Sequence, residues 1–259
     1  LESFINSEVS SEACPINSQG LDIDMFLPKV NISKLTLGKS CGDFNKSLEV
    51  NNIKVNFTGI SFAPFGLSFA LEMNLFKEKI SGYLVRGFLK NYISLHHKKF
   101  SLEPLSDYIP YHLKLRGDID FDIDVEMGSQ KISSGGIHLV SSNFIIPSQE
   151  INGGIILPSL PFNSMQVHVD ITAQDFILNK SYLGNLDSPI QLKLQGTIGN
   201  KSPIGEAPID IAAPLAVSDE LKANLFFLEN MLQVYPKKDN YYQLSIHGTV
   251  QNPEFKPIN

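Results

Sequence analysis

Apolar and polar residues alternate along much of this chain with a period of two. The longest such run extends from Leu113 to Val125, where every second residue is apolar or glycine and the residues between them are charged. Successive side chains of a strand point to opposite faces of a sheet, so the run predicts one strand with an apolar face and a charged face. At about 3.3 Å per residue, this strand would be roughly 40 Å long.

The same alternation recurs in five shorter runs, at residues 21–27, 67–75, 167–173, 190–198 and 242–250. Two more runs, 30–37 and 48–57, lose the alternation once, at Lys34–Leu35 and Asn51–Asn52, which predicts a β-bulge in each. Three strands share the pattern apolar-x-apolar-x-Gly-x-apolar, with glycine at positions 117, 196 and 248. This repeat indicates structural equivalence; the alternative is coincidence in a β-rich chain.

Helical periodicity is scarce, and the best candidate is 218–234. Ser218 is the predicted N-cap, and four leucines (221, 225, 228 and 232) then lie on one helical face until Pro236 ends the helix. A second short turn is predicted at 102–108. The Gly-Gly pairs at 135–136 and 153–154 are predicted to be turns.

These elements predict a mainly β fold: an elongated, curved, mostly antiparallel sheet, or a half-barrel or sandwich, with one or two short helices. No long low-complexity linker divides the chain. We therefore predict an N-terminal β lobe at 1–108 that is continuous with a C-terminal β domain at 109–259.

Composition excludes some classes of function. The net charge is -6 and no cluster of Lys and Arg occurs, which argues against nucleic-acid binding. No apolar stretch of about 18 residues could form a membrane span. Because the sequence starts at Leu1 and not at Met, we expect that an upstream segment has been removed.

The two cysteines, Cys14 and Cys41, could form one disulfide. It would close a loop of about 27 residues and stabilise the fold by roughly 3 kcal/mol. The alternative is two unrelated thiols. The short Cys/His spacings of a zinc site are absent.

The strongest candidate for a metal site is the set of alternate aspartates at positions 118, 120, 122 and 124. Calcium needs six to eight converging oxygens, whereas a straight strand spreads these carboxylates apart. Lys114 and Arg116 would share their face, so we predict a solvated face with paired charges. The adjacent His96 and His97 would point to opposite sides of a strand, which argues against joint metal binding.

No catalytic signature is present in the sequence. It lacks a Gly-x-Ser-x-Gly elbow, a phosphate-binding loop and a dinucleotide fingerprint. We predict that the protein is not an enzyme and holds no cofactor or metal.

Two segments resemble a known family. The first, at 153–162, contains the motif residues Gly153, Leu157, Pro158, Pro161 and Phe162; the second, at 247–257, contains Gly248, Thr249, Asn252 and Pro253. Together with the order of the elements around them, they resemble the type II secretion system protein N family. The ending is also similar to AsmA-like proteins of the bacterial envelope.

This resemblance implies a periplasmic β domain of a bacterial inner-membrane protein, anchored by an N-terminal helix that is missing here. It implies a non-catalytic accessory role in the type II (general) protein secretion machinery, with protein subunits of that envelope complex as partners. A disulfide between Cys14 and Cys41 would then lie in the periplasm, where disulfides persist.

Two alternatives stay open. Long strands with one apolar face could form a groove that binds or transfers lipid, provided that much of this face stays uncovered. An adhesin-like or carbohydrate-binding sandwich would instead expose aromatic residues on its loops. Phe62, Phe65 and Phe69 are predicted to be core residues, which argues against that second alternative.

Overall fold

The computed structural model describes residues 14–24, 28–41, 45–108, 113–128, 132–151, 154–201 and 204–258. The strands are β1 (Ile16–Asp24), β2 (Lys29–Leu37), β3 (Leu48–Phe62), β4 (Phe65–Leu75), β5 (Glu78–Gly87), β6 (Asn91–Ser101), β7 (Asp118–Met127), β8 (Ile132–Ser141), β9 (Phe144–Ile146), β10 (Gln149–Ile151), β11 (Ile155–Leu157), β12 (Leu160–Phe162), β13 (Met165–Thr172), β14 (Asp175–Leu183), β15 (Ile190–Gly199), β16 (Ile209–Ala212), β17 (Leu215–Val217), β18 (Lys237–Lys238), β19 (Tyr241–Tyr242), β20 (Leu244–Gly248) and β21 (Pro253–Pro257). The helices are α1 (Asp219–Asn224) and α2 (Phe226–Leu232), and single 3-10 turns lie at Lys39–Cys41, Glu103–Asp107 and Ile204–Glu206.

Seventeen of these strands form one antiparallel sheet, which confirms the prediction of a mainly β, antiparallel fold. Strands β1 to β7 each pair with the next strand along the chain. Strand β8 then pairs with β13, and β13, β14 and β15 continue in order. Along its length β15 pairs with both β16 and β17; β16 leads on to β20 and β21, and β17 to β19 and β18.

The predicted bulge at Asn51–Asn52 is confirmed, whereas the one at Lys34–Leu35 is wrong. The β3–β4 register shifts just after Asn51, and Asn52 has a positive φ of 51°. Strand β2, in contrast, keeps a one-to-one register with both neighbours. The alternation still changes there because the strand pairing skips one residue in each of three adjacent strands: Gly20, Ser33 and Asn52, which lie opposite one another. Beyond these residues the apolar side chains of β1, β2 and β3 all keep to the same face of the sheet, although the sequence pattern has shifted by one residue.

The long strand predicted at Leu113–Val125 is shorter than expected, because β7 begins only at Asp118. Residue Arg116 forms two backbone hydrogen bonds with Ile145, of 2.9 and 3.0 Å, and so follows β9 instead of the main sheet. Gly117 (φ 103°) makes the bend between these two paths. A side chain does not fit at this position, because a Cβ atom on Gly117 would lie 2.2 Å from a backbone oxygen.

The three glycines of the repeated pattern share one backbone role. Gly117, Gly196 and Gly248 have φ values of 103°, 153° and 89°, and an added Cβ would lie 2.6 Å or less from a neighbouring carbonyl oxygen in each case. Side chains other than hydrogen are excluded by both conditions. This common constraint favours structural equivalence over coincidence.

The predicted helix at 218–234 forms, but as two pieces. The Ser218 hydroxyl accepts a 3.2 Å hydrogen bond from the Leu221 backbone nitrogen, which confirms the N-cap. Leu225 then leaves the helical conformation, with φ -122° and ψ 73°, and separates α1 from α2. Leu221, Leu225 and Leu232 are buried as predicted. The predicted turn at 102–108 is present as the 3-10 turn Glu103–Asp107.

The Gly135–Gly136 pair is not the predicted turn, because both residues lie inside β8. A Cβ atom on Gly135 would lie 2.3 Å from a backbone oxygen of β7, whereas one on Gly136 would meet nothing closer than 3.8 Å. Close strand approach, and not a change of direction, therefore requires the first glycine.

The sheet continues across the predicted boundary at residue 108, since β6 pairs with β7 over most of its length. The division into lobes 1–108 and 109–259 stays a prediction.

Strand β21 lies at one edge of the sheet and pairs only with β20 among the described strands. The Ile258 backbone nitrogen donates a hydrogen bond to the Gln243 oxygen. By alternation, the backbone N–H groups of Glu254 and Lys256 also point toward β20, whereas the backbone positions of residues 253, 255 and 257 point away from the sheet. Two of those three outward residues, Pro253 and Pro257, have no N–H group. This edge is therefore poorly suited to pair with a further strand.

Candidate functional site

One face of the sheet is apolar from its N-terminal strands to its centre. Across β4, β5, β6 and β7, the register aligns one apolar row on this side: Phe69, Leu84, Ile93 and Val125. Because side chains alternate, the polar residues between them occupy the other face. The predicted one-faced strands are thus combined into a single apolar surface.

The central part of this face is covered. A buried cluster includes Ile80, Phe100 and Phe121 of the sheet, together with Phe162 of β12 and Leu221 of α1. The segment from β9 to β12 and the two helices therefore pack on the face of the central strands. Phe144 and Phe162 stack at 5.2 Å within this cover.

The face of the N-terminal strands is not covered in the same way. No described residue of β1, β2 or β3 belongs to the buried cluster or packs against it. We call the apolar residues on this part of the face the open apolar face: Ile23, Val30, Val55, Phe57, Ile60, Leu67 and Phe69. Ile60 is 60% exposed and Phe57, in edge-to-face contact with Phe69, is 41% exposed.

Two hollows lie on the open apolar face. One, of about 400 Å³, is lined by Ile60, Phe65, Leu67 and Phe88, with Arg86 as its one polar side chain. A second, of about 340 Å³, lies against β1, β2, β3 and β4 and contains Ile23 and Val55. Both volumes are of the size that binds part of a small apolar ligand.

Arg86 is the one charged side chain among the apolar residues that line the larger hollow. It lies directly opposite Leu67 in the β4–β5 register, and its side chain is exposed. None of the carboxylates in the described ranges forms an ion pair with it. Arg86 can therefore bind an external anion with its full set of donors.

The opposite, polar face carries the aspartate ladder. Asp120 accepts a 2.8 Å hydrogen bond from the Lys99 backbone nitrogen, and Asp124 accepts one of 2.6 Å from the Tyr92 hydroxyl. Asp122 lies between His96 and His138 in the register. The aspartates thus have different neighbours, and over the described residues they form no joint metal site.

Lys114 and Arg116 do not share this face, which corrects the prediction. Both precede β7: Lys114 exchanges hydrogen bonds with Gln149, and Arg116 lies 3.7 Å from Glu103. They leave the face because the chain bends at Gly117 to follow β9.

The histidines also divide between the two faces. His97 is on the apolar side, in ring contact with Phe100 and Phe121, while His96 is paired with Asp122 on the polar side. This confirms that the adjacent rings point apart. Over the described ranges, no group of three His, Cys, Asp or Glu side chains could hold a metal ion.

The motif residues of the first family segment lie in the cover. Leu157 is in β11, Pro158 follows it, and Pro161 and Phe162 are in β12, with Phe162 buried. Gly153 lies outside the described residues. These residues hold the cover on the sheet and line no part of the open apolar face.

The motif residues of the second segment form a turn between β20 and β21. The Thr249 hydroxyl accepts a 3.2 Å hydrogen bond from the Asn252 backbone nitrogen, and Pro253 begins β21. Gly248 has the positive φ that starts this turn. Both family segments therefore have local structural roles.

The two cysteines flank the β1–β2 pair at the same end, with Cys14 before β1 and Cys41 after β2. Ile16 pairs with Leu37, and the Gly38 nitrogen donates a 2.8 Å hydrogen bond to the Pro15 oxygen. Cys14 and the 3-10 turn that ends at Cys41 extend from this end. The side chain of Cys41 lies outside the described residues, so the disulfide stays a prediction.

Sequence reasoning missed the exposed aromatic residues at the end of the open apolar face. Phe62 and Phe65 were predicted to be core, but Phe62 is 84% exposed and Phe65 is also exposed. They flank the two-residue β3–β4 turn, beyond the reach of the cover. Apolar residues on both sides of the turn dipeptide Ala63–Pro64 are the signal that could have identified them.

No helix in the described ranges is both long enough and apolar enough to cross a membrane. No protein-family model, curated protein or solved structure matches this chain.

Proposed function

We propose that this protein is a non-catalytic binding protein that holds the acyl chains of a phospholipid on its open apolar face. The observation that supports this function is the exposure of large apolar side chains of β1, β3 and β4 on one face of the sheet. A sheet used only as a scaffold would bury this surface, because exposed apolar area is unfavourable in water.

The chemistry of the face fits an amphipathic ligand. Ile60, Leu67 and Phe69 offer contact to a hydrocarbon chain, and Arg86 offers a cation to a phosphate group. A sugar ligand would need several hydrogen-bonding side chains around an aromatic ring, whereas Arg86 is the one polar side chain that lines the larger hollow. These features favour a lipid over the carbohydrate alternative.

The test is native mass spectrometry of the chain purified without detergent from the bacterial envelope. We expect additional mass that dissociates as phospholipid. The double variant Ile23→Ser with Phe57→Ser should lose it, because both side chains are exposed on the open apolar face. Val140→Ser is the matched control, since Val140 is similarly exposed, at 39%, but lies on the polar face. A bare mass for the unsubstituted chain would reject the proposal.

A second proposal keeps the accessory role in type II secretion, in the periplasm and with subunits of that complex as partners. The order of the two motif segments in the sequence supports it. Partner binding by strand addition at β21 is disfavoured by Pro253 and Pro257, so a partner would need another surface. Two exposed apolar residues of α2, Phe226 and Met231, are the observation that favours one.

Genetic complementation separates the two proposals. Deletion of the gene should reduce the amount of protein secreted into the medium if the accessory role is correct. Restoration by the chain with Ile23→Ser and Phe57→Ser would assign secretion to a surface other than the open apolar face. Unchanged secretion in the deletion strain would reject the accessory role and leave lipid binding in place.

A further inference from the structure

Two neighbouring hairpins of the sheet end in exposed apolar residues. Strands β3 and β5 run in the same direction because both are antiparallel to β4, so the β3–β4 and β5–β6 turns lie at one end of the sheet. We call the residues at these turns the apolar tip: Phe62, Phe65, Phe88 and Leu89. Phe88 and Leu89 are each 89% exposed, and Phe62 is almost as exposed.

The tip is one surface and not two separate turns. The rings of Phe65 and Phe88, from different hairpins, stack with 6.1 Å between their centroids. The remaining side chains project into solvent instead of lining a closed pocket. A protein partner would need hollows that match these projections, whereas the interior of a bilayer receives projecting apolar side chains of any shape.

Charged groups flank the apolar tip on the side of the sheet. Arg86 precedes Phe88 by two residues, and Lys90 follows Leu89 directly. Lys90 pairs with Glu126, whereas Arg86 forms no ion pair with a described carboxylate. Apolar side chains at the end with a free cation behind them match the order of hydrocarbon and phosphate in one leaflet of a bilayer.

We propose that the apolar tip inserts into the surface of a lipid bilayer, with Arg86 at the level of the phosphate groups. The open apolar face begins beside the tip, because Ile60 and Leu67 pair within the same β3–β4 hairpin that ends at Phe62 and Phe65. A bilayer at the tip and the acyl-binding face would therefore form one apolar path. Insertion itself does not depend on that function, since it needs only the tip residues.

A fluorescence experiment tests insertion directly, because the chain contains no tryptophan. Phe88→Trp places a single reporter at the tip, and Leu186→Trp places one at a residue that is equally exposed on the β14–β15 connection. With vesicles of phosphatidylethanolamine and phosphatidylglycerol, the Phe88→Trp emission should shift to shorter wavelength and be quenched by brominated acyl chains. The Leu186→Trp emission should stay unchanged. Equal behaviour of the two reporters would overturn the proposal.

Vesicle flotation provides the second measurement. Phe88→Ser combined with Leu89→Ser should weaken vesicle binding by about a hundredfold, since burial of each of the two side chains contributes on the order of a tenfold gain. Leu186→Ser should bind like the unsubstituted chain, and all three should melt at similar temperatures. Arg86→Gln should weaken binding to vesicles with phosphatidylglycerol but not to vesicles of phosphatidylcholine alone.

Two results would overturn membrane insertion. One is flotation that the tip double variant leaves unchanged. The other is an unsubstituted chain that does not bind vesicles. If that chain forms a dimer and Phe88→Ser dissociates it, the tip is a contact between two copies of the protein. The variant with Ile23→Ser and Phe57→Ser should still float, so failure of acyl binding and failure of insertion are distinguishable.

Discussion

The Tyr92 hydroxyl donates a 2.6 Å hydrogen bond to Oδ1 of Asp124, across the pair of strands β6 and β7 on the polar face. Two effects raise the pKa of Tyr92 above its usual value: burial of the phenol, which is the larger, and this hydrogen bond to the carboxylate. Both effects favour the neutral phenol, because the phenolate would be poorly solvated and would face a negative charge.

The first prediction is a loss of stability at alkaline pH. In the unfolded chain tyrosine titrates at about pH 10, whereas the folded state holds the Tyr92 proton more tightly. The contribution of Tyr92 to the free energy of unfolding is therefore complete below about pH 10 and falls as the pH rises further. Urea unfolding measured between about pH 9 and about pH 11 should show this fall. Tyr92→Phe should make it smaller. An unchanged pH dependence in Tyr92→Phe would contradict the assignment.

The second prediction concerns two adjacent glycines of β8. Gly135→Ala should lower the free energy of unfolding by about 1–3 kcal/mol, because its Cβ would lie 2.3 Å from the Asp124 backbone oxygen. Gly136→Ala should be neutral or stabilising by up to about 1 kcal/mol, since its Cβ would have ordinary contacts. Chemical denaturation of both variants measures the difference. Equal effects would mean that strand approach is not the constraint at position 135.

The third prediction separates core from surface aromatic residues. Phe121→Ala should cost about 3–5 kcal/mol, because Phe121 is buried and contacts Phe100 edge to face at 5.7 Å. Phe62→Ala should change stability by less than about 0.5 kcal/mol, since its side chain is almost fully exposed. Thermal melts of the two variants provide the measurement. A large loss of stability in Phe62→Ala would show that Phe62 contributes to the fold.

The fourth prediction concerns the start of α1. Ser218→Ala should lower stability by about 1 kcal/mol through loss of the N-cap hydrogen bond, and Ser218→Asp should retain most of it. Asp219, in the first turn, has its pKa held below the usual value by the hydrogen bond from Lys222. Circular dichroism melts of the two Ser218 variants distinguish capping from a general effect of substitution.

The fifth prediction is the disulfide. The intact mass of the chain, produced in an oxidising compartment and purified without reductant, should be two hydrogens below the reduced mass. Cys41→Ser should then lower stability by roughly 3 kcal/mol, and Cys14→Ser should have the same effect. The double variant should lose no more than either single variant. A fully reduced mass would reject the pairing.

Local chemistry explains why much of the fold could be predicted from the sequence. Alternation identified β4, β13 and β15 because each has one apolar and one polar face, and the N-cap signal identified Ser218. The residue at which β7 begins could not be predicted from alternation. Leu113 and Leu115 continue the pattern, whereas Gly117 redirects the backbone that precedes β7 toward β9. Long-range pairing of that kind leaves no trace in a period-two pattern.

The candidate site was less predictable for a related reason. Alternation marks a residue as apolar on one face, but it does not say whether anything covers that face. Phe62 and Phe121 both lie on the apolar face of the sheet. Phe121 is in the middle of β7, under the cover formed by β9–β12 and the helices, whereas Phe62 ends β3 at a turn outside that cover. Exposure therefore depends on the three-dimensional path of segments distant in sequence.

The order of the strands has a consequence for how the chain acquires its structure. From β1 to β8, every strand pairs with the one synthesised just before it, so the sheet can extend hairpin by hairpin from the N-terminal side. Short loop closures of this kind keep the entropic barrier of each step low. A chain that emerges gradually during synthesis builds its apolar face strand by strand, and the cover from β9 to β12 forms only after the eighth strand.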